Sequence, residues 1–148
     1  MGAPPSSWEG VDRMFLDNRE WPAPATNPEN EAFFTAAAQG KLLYGHCVSC
    51  GRAHYYPRRS CPHCFSASVD WVEASGRGQI YTYTVTGNET DRQVLAFIEL
   101  DEGVRMLSNI VGAPPTMLAV GARVRVAFGR AGTVRVPVFV MDEAGPGA

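Results

Sequence analysis

Beyond Glu73 the chain alternates apolar and polar residues with period two. That pattern predicts strands at 79–86, 94–101, 104–111, 123–128 and 133–141. Asp101-Glu102-Gly103 reads as the turn between the second and third. Arg123-Val124-Arg125-Val126 alternates cleanly, so both arginines should share the wet face. Pro137 inside the last run points to an edge strand or a bulge. Five strands with tight turns, and a longer connection at 113–118, predict a small barrel of the OB type.

Upstream the period changes. Asn27 suits a helix N-cap, Pro28 the first helical position, and Glu29 and Glu31 the first turn. Phe33, Phe34, Ala37 and Ala38 supply an apolar face, and Gly40 a stop. Short strands follow at 41–46 and 53–57, with 65–71 closing the segment. The first 26 residues are rich in Pro, Ala and polar residues. Segments 8–11 and 14–16 could each contribute to a short helical turn, whereas 21–24 must be extended ahead of its prolines. The expected organisation is an N-terminal arm and helix (1–40), a cysteine-bearing ribbon (41–72), a barrel (73–142) and a loose tail (143–148). The fold class is mainly β.

The ribbon carries the strongest chemical signal. Cys47-Val48-Ser49-Cys50 and Cys61-Pro62-His63-Cys64 are two C-x-x-C pairs, and the chain has no other cysteine. Two such knuckles facing each other supply four thiolates, the closed tetrahedral set of a structural zinc. Gly51 follows the first pair where a positive φ is useful, and Pro62 stiffens the second. Iron uses the same ligands, and two disulfides are formally possible. A redox C-x-x-C would normally be single. Residues 1–5 show neither a basic start nor an apolar run, so no signal peptide and a cytoplasmic location are expected. A closed four-thiolate site leaves no position for substrate, so the metal should hold the fold and do no chemistry.

Charge narrows the partners. The formal net charge is −2, and zinc with four thiolates adds about −2 more. Nucleic-acid binders of this kind usually carry a basic excess. Only the ribbon is locally basic, with Lys41, Arg52, Arg58 and Arg59 against Asp70. Arg58 and Arg59 are either solvated near the sulfurs or placed to meet an anion, such as a cofactor phosphate or an acidic partner surface. No apolar run is long enough to span a membrane.

A catalytic site is hard to find. The thiols are committed to metal. His46, His54 and His63 lie near the cysteines and read as surface residues of strands or knuckles. Ser75-Gly76-Arg77-Gly78 lacks the ending of a phosphate loop. Asp101 and Glu102 should point apart at their turn, unlike a converging acid pair.

The order of motifs is more telling than any one of them. Phe33-Phe34 leads through Gly40-Lys41-Leu42 to Cys47-x-x-Cys50-Gly51. Tyr56-Pro57-Arg58, Cys61-Pro62-x-Cys64, Trp71 and Ser75-Gly76-x-Gly78 follow. Leu100-Asp101-Glu102-Gly103, Val120-Gly121 before a basic strand, and Pro137-x-Phe139 complete the series. Over roughly residues 30–142 this resembles the domain of unknown function thirty-five family, a rubredoxin-like zinc ribbon joined to an acyl-CoA-associated OB-fold; the first 26 residues lie outside the resemblance. The resemblance implies a non-catalytic accessory subunit for a thiolase-fold enzyme (a thiolase, aldolase or acyltransferase). It also implies a structural zinc on Cys47, Cys50, Cys61 and Cys64. Some similar proteins accompany hotdog-fold acyl-CoA hydratases, which stays open as an alternative. A 2:2 assembly, with acyl-CoA reached through the partner and no contact with nucleic acid or membrane, is the matching expectation.

A nucleic-acid-binding ribbon and barrel is the reading from another class, since Tyr81 and Tyr83 alternate on one strand and could stack bases. The arm aromatics Trp8, Phe15 and Trp21 should be buried either back on this domain or on another subunit; for the accessory reading they are the expected partner anchors. Phe33 and Phe34 lie about 100° apart on a helix, so one should face the domain and the other the partner. Arg58 and Arg59 would sit nearer the CoA phosphates.

Overall fold

A computed structural model describes residues 14–142. The second half forms five strands: β5 (Arg77–Thr86), β6 (Gln93–Leu100), β7 (Arg105–Ile110), β8 (Arg123–Ala131) and β9 (Val134–Met141). They run in the order β8-β5-β6-β7-β9, and the β8–β9 pairing closes the barrel. The period-two reading locates every one of these strands. Inward positions form the core, with Ile80, Val124, Phe128 and Phe139 fully enclosed. The Asp101-Glu102-Gly103 turn forms as expected, with Gly103 at φ 93°. Its two acids diverge: Asp101 pairs with Arg123 at 2.9 Å, and Glu102 accepts the Ser75 amide at 2.7 Å. Pro137 lies opposite Phe128 on β8, and its carbonyl accepts the Ser108 hydroxyl at 2.9 Å.

The ribbon is a three-stranded antiparallel sheet in the order β3-β2-β4. It is built from β2 (Leu43–Cys47), β3 (Ala53–His54) and β4 (Val69–Glu73). Helix α1 (Glu31–Ala37) packs on β2 and on β9, so it joins ribbon to barrel. The helix starts later than the sequence suggests. Asn27 instead caps the turn before it, where its Oδ1 accepts the amides of Glu29 and Asn30 at 2.9 and 3.0 Å. Ala36 takes the buried place expected of Ala38.

The arm departs most from expectation. No helical turn forms at 14–16; Phe15–Glu20 is a strand, β1, parallel to β8. The reason is an open edge. Strand β5 pairs with β8 only from Arg77 to Gln79, and β1 then takes up the backbone groups of β8 around Phe128–Arg130. The expected turn at 8–11 and the tail at 143–148 lie outside the described residues. No helix among the described residues is long and apolar enough to cross a membrane.

Candidate metal centre

The strand β2 delivers Cys47 at its end, and the β3–β4 connection brings Cys61 and Cys64 back to meet it. All four sulfurs lie within 4.8 Å of one another. The Cys47–Cys64 and Cys50–Cys61 separations are 3.6 and 3.7 Å. A tetrahedron with Zn–S bonds near 2.3 Å has edges of about 3.8 Å, so the cluster already has the size of a zinc site. Backbone amides point at the sulfurs: Cys50 N–H donates to Cys47 Sγ at 3.4 Å and His63 N–H to Cys61 Sγ at 3.3 Å. The Cys50 amide is the main influence bringing Cys47 down to about 7. Cys64 goes the other way, to about 11: the Ser66 amide lowers it, but desolvation and the three neighbouring thiols outweigh that. The cluster thus favours the thiolate at Cys47 and opposes it at Cys64. A divalent cation removes the conflict, because each thiolate then faces positive charge.

Of the three histidines, His54 differs from its expected surface role. It is 5% exposed, and both ring nitrogens are enclosed without a partner. In register it faces Gly45, whose missing side chain leaves room for the ring. Burial, with Arg58 and His63 nearby, holds its pKa below the ordinary 6.5. The ring borders a cleft between ribbon and barrel, but neither nitrogen is exposed.

Of the expected partner anchors, Trp8 lies outside the described residues and the other four pack inward. Phe33 and Phe34 are 1% and 6% exposed, which corrects the expectation that one faces outward. Two surfaces flank the helix rather than one. Phe33 meets Tyr55 and Tyr56 of the ribbon segment, with centroids at 5.7 and 6.1 Å, and joins the same core as the barrel residues. Phe15 is half-buried beside Phe128. Trp21 is half-buried over Gly129, where any Cβ would collide with the indole. The arm from Phe15 onward thus folds back on its own domain. Arg58 lines a cleft of about 400 Å³ between ribbon and barrel, with His63 and Arg105 among its walls. Arg59 is exposed, and its amide donates to Glu29 Oε1 at 3.0 Å.

The alternation of Tyr81 and Tyr83 does not survive folding. A register shift between Ile80 and Thr82 turns them to opposite sides. Tyr81 is exposed, with the Arg105 guanidinium 3.9 Å from its centroid. Tyr83 is half-buried and donates its hydroxyl to the Leu118 carbonyl at 3.3 Å. Sequence reading missed an outer row on the barrel. Tyr81, Leu95, Phe97 and Leu107 are 37–55% exposed, and Phe97 lies directly opposite Leu107. The signal was present: 94–98 reads Val-Leu-Ala-Phe-Ile, apolar on both faces in a strand whose outer face should be polar.

Two family models match this chain. The one described as the rubredoxin-like zinc ribbon domain of ChsH2 covers residues 34–70, and the one for the C-terminal OB-fold domain of ChsH2 covers 71–129. A DUF35 domain-containing scaffold protein of Methanothermobacter thermautotrophicus is 33% identical over 94 residues, 59% of this chain and 71% of that protein. The chain belongs to the DUF35 family. Its metal centre is accordingly a structural zinc site, and its barrel an OB-fold. A Thermomonospora curvata protein named "Probable enoyl-CoA hydratase alpha subunit" is 38% identical over 105 residues, 68% of this chain. The match spans only 33% of that longer relative. Among solved structures, a chain of the "Ltp2-ChsH2(DUF35) aldolase" superposes with a TM-score of 0.68 at 35% identity. That alignment covers 80% of this chain and 98% of that one. A DUF35 protein of unknown function from Sulfolobus solfataricus, at 21% identity and a TM-score of 0.59, shares the fold.

Proposed function

We propose that this chain is a non-catalytic accessory subunit that binds and supports a CoA-thioester enzyme of the thiolase fold. The observation that carries this reading is the likeness, over 98% of its length, to a chain solved as part of an Ltp2–ChsH2(DUF35) aldolase. The scaffold names of the archaeal relatives support it. So does the chemistry of the chain: its thiols are gathered for metal, His54 is enclosed, and Asp101 and Glu102 engage different partners. A 2:2 assembly in the cytoplasm, with acyl-CoA held mainly by the partner, completes the proposal; reduced thiols gathered for metal suit that compartment. Arg58 is the residue we place nearest a CoA phosphate, since it lines the ribbon–barrel cleft; Arg59 would contribute only longer-range charge.

A second reading is favoured by two relatives named as hydratase alpha subunits, which would pair this chain with a hotdog-fold acyl-CoA hydratase. Nucleic acid is disfavoured, because Tyr83 is tied to Leu118 and the net charge is −2. Assaying the purified chain against a panel of acyl-CoA thioesters should give no turnover above buffer. Turnover abolished by one substitution in this chain would overturn the non-catalytic reading.

A further inference from the structure

The two zinc knuckles repeat one backbone pattern. The amide of the first cysteine donates to the carbonyl five residues on: Cys47 to Arg52 at 2.9 Å, Cys61 to Ser66 at 2.8 Å. The residue four on donates back: Gly51 to Cys47 at 2.9 Å, Phe65 to Cys61 at 2.8 Å. Gly51 and Phe65 are therefore equivalent positions, and both are left-handed, at φ 76° and 65°. Glycine adopts that conformation freely, whereas a bulky side chain there is strained. Phe65 is the only non-glycine residue with positive φ among the described residues.

No core cluster or ring contact among the described residues takes in the Phe65 side chain to offset the strain. The Phe65 side chain is 80% exposed, more than any other large apolar residue among those described, and it takes part in none of the ring–ring contacts there. The matching knuckle also presents an apolar residue, Val48, at 59% exposure. Ser49 Oγ and Ser66 Oγ, 2.8 Å apart, tie the two knuckles together. The same molecule thus shows the relaxed solution, Gly51, beside the strained one. A strained, solvent-facing aromatic points to a contact made outside the chain.

We propose that Phe65 is an anchor of the zinc ribbon, seated in an apolar pocket of the thiolase-fold partner. This rests on the accessory-subunit reading above. Arg52, Arg58 and Arg59 are exposed on the same ribbon, and their guanidinium groups make no ion pair among the described residues. An apolar pocket with an acidic rim complements that set. An anionic membrane or nucleic acid would meet a chain of net charge −2. The superposable DUF35 chain was solved with an aldolase.

The test uses Phe65→Gly and Phe65→Asn in the full chain. Asparagine tolerates the left-handed region without glycine's extra freedom in the unfolded state. Both variants should keep one zinc, and their Tm should be unchanged or higher by about 2–4 °C. Affinity for a thiolase-fold enzyme from the same genome should fall by about 30-fold, as for an aromatic hot spot. Opposite signs on stability and binding mark an anchor. A Tm lowered by more than about 5 °C in both variants would show that the ring serves its own domain and overturn the proposal. Binding within twofold of the unsubstituted chain would overturn it too. A loss of self-association alone, by light scattering, would assign the pocket to a second copy and reject the partner. If the unsubstituted chain itself fails to bind, the accessory reading falls, a result distinct from failure of the anchor alone.

Discussion

Cys61→Ser empties the metal centre and unfolds the ribbon. Cys61 is fully buried, its sulfur lies 3.7 Å from that of Cys50, and the His63 amide is aimed at it. Serine keeps the size but loses the thiolate, and three remaining ligands make a weaker, open site. Structural zinc supplies about 10–16 kcal/mol of folding free energy in small peptides, against a total of about 5–15 kcal/mol for a typical domain. Losing a ligand therefore removes as much as the fold has to spare. Metal analysis should find less than one zinc per chain, and thermal melting should show the ribbon already disordered at room temperature. A full equivalent of zinc with an unchanged Tm would contradict the account.

The second large effect is at Phe33. Its ring lies where helix, ribbon and barrel meet, 1% exposed and 5.1 Å from Phe34. Truncating a buried Phe to Ala costs about 3–5 kcal/mol, through lost transfer energy and the cavity left behind. For a chain of this size Phe33→Ala should lower Tm by about 10 °C or more. The anchor role expected from the sequence predicts the reverse: a stable fold with weaker partner binding. Thermal melting separates the two, and a Tm within about 2 °C of the original would restore the anchor role.

Several features were legible before any coordinates. Cysteine spacing is local and chemically specific, so the metal centre needed only two short motifs. The five barrel strands announce themselves by alternation, and the Asp101-Glu102-Gly103 turn by its glycine. What escaped depends on partners distant in sequence. Strand β1 carries only Phe15 and Leu16 as apolar residues, and its pairing with β8 lies more than a hundred residues away. Phe33 and Phe34 point about 100° apart on the helix, which suggests one wet face, but the helix has protein on both sides. His54 is buried because register sets it against Gly45. The bulge that separates Tyr81 from Tyr83 leaves no mark in composition. Phe65 is the reverse case: the parallel between Cys50-Gly51 and Cys64-Phe65 was open to inspection, and only the φ angle gave it meaning.

On the proposed function, this chain works by binding a thioester enzyme. The most direct test is co-expression with a thiolase-fold enzyme from the same genome, followed by affinity purification through a tag on this chain alone. The account predicts one stable complex with equal amounts of the two chains and one zinc per copy of this chain. Carbon–carbon cleavage or acyl transfer on acyl-CoA should be present in the complex and absent from this chain alone. Recovery of this chain by itself, with the enzyme equally active and soluble in its absence, would contradict it.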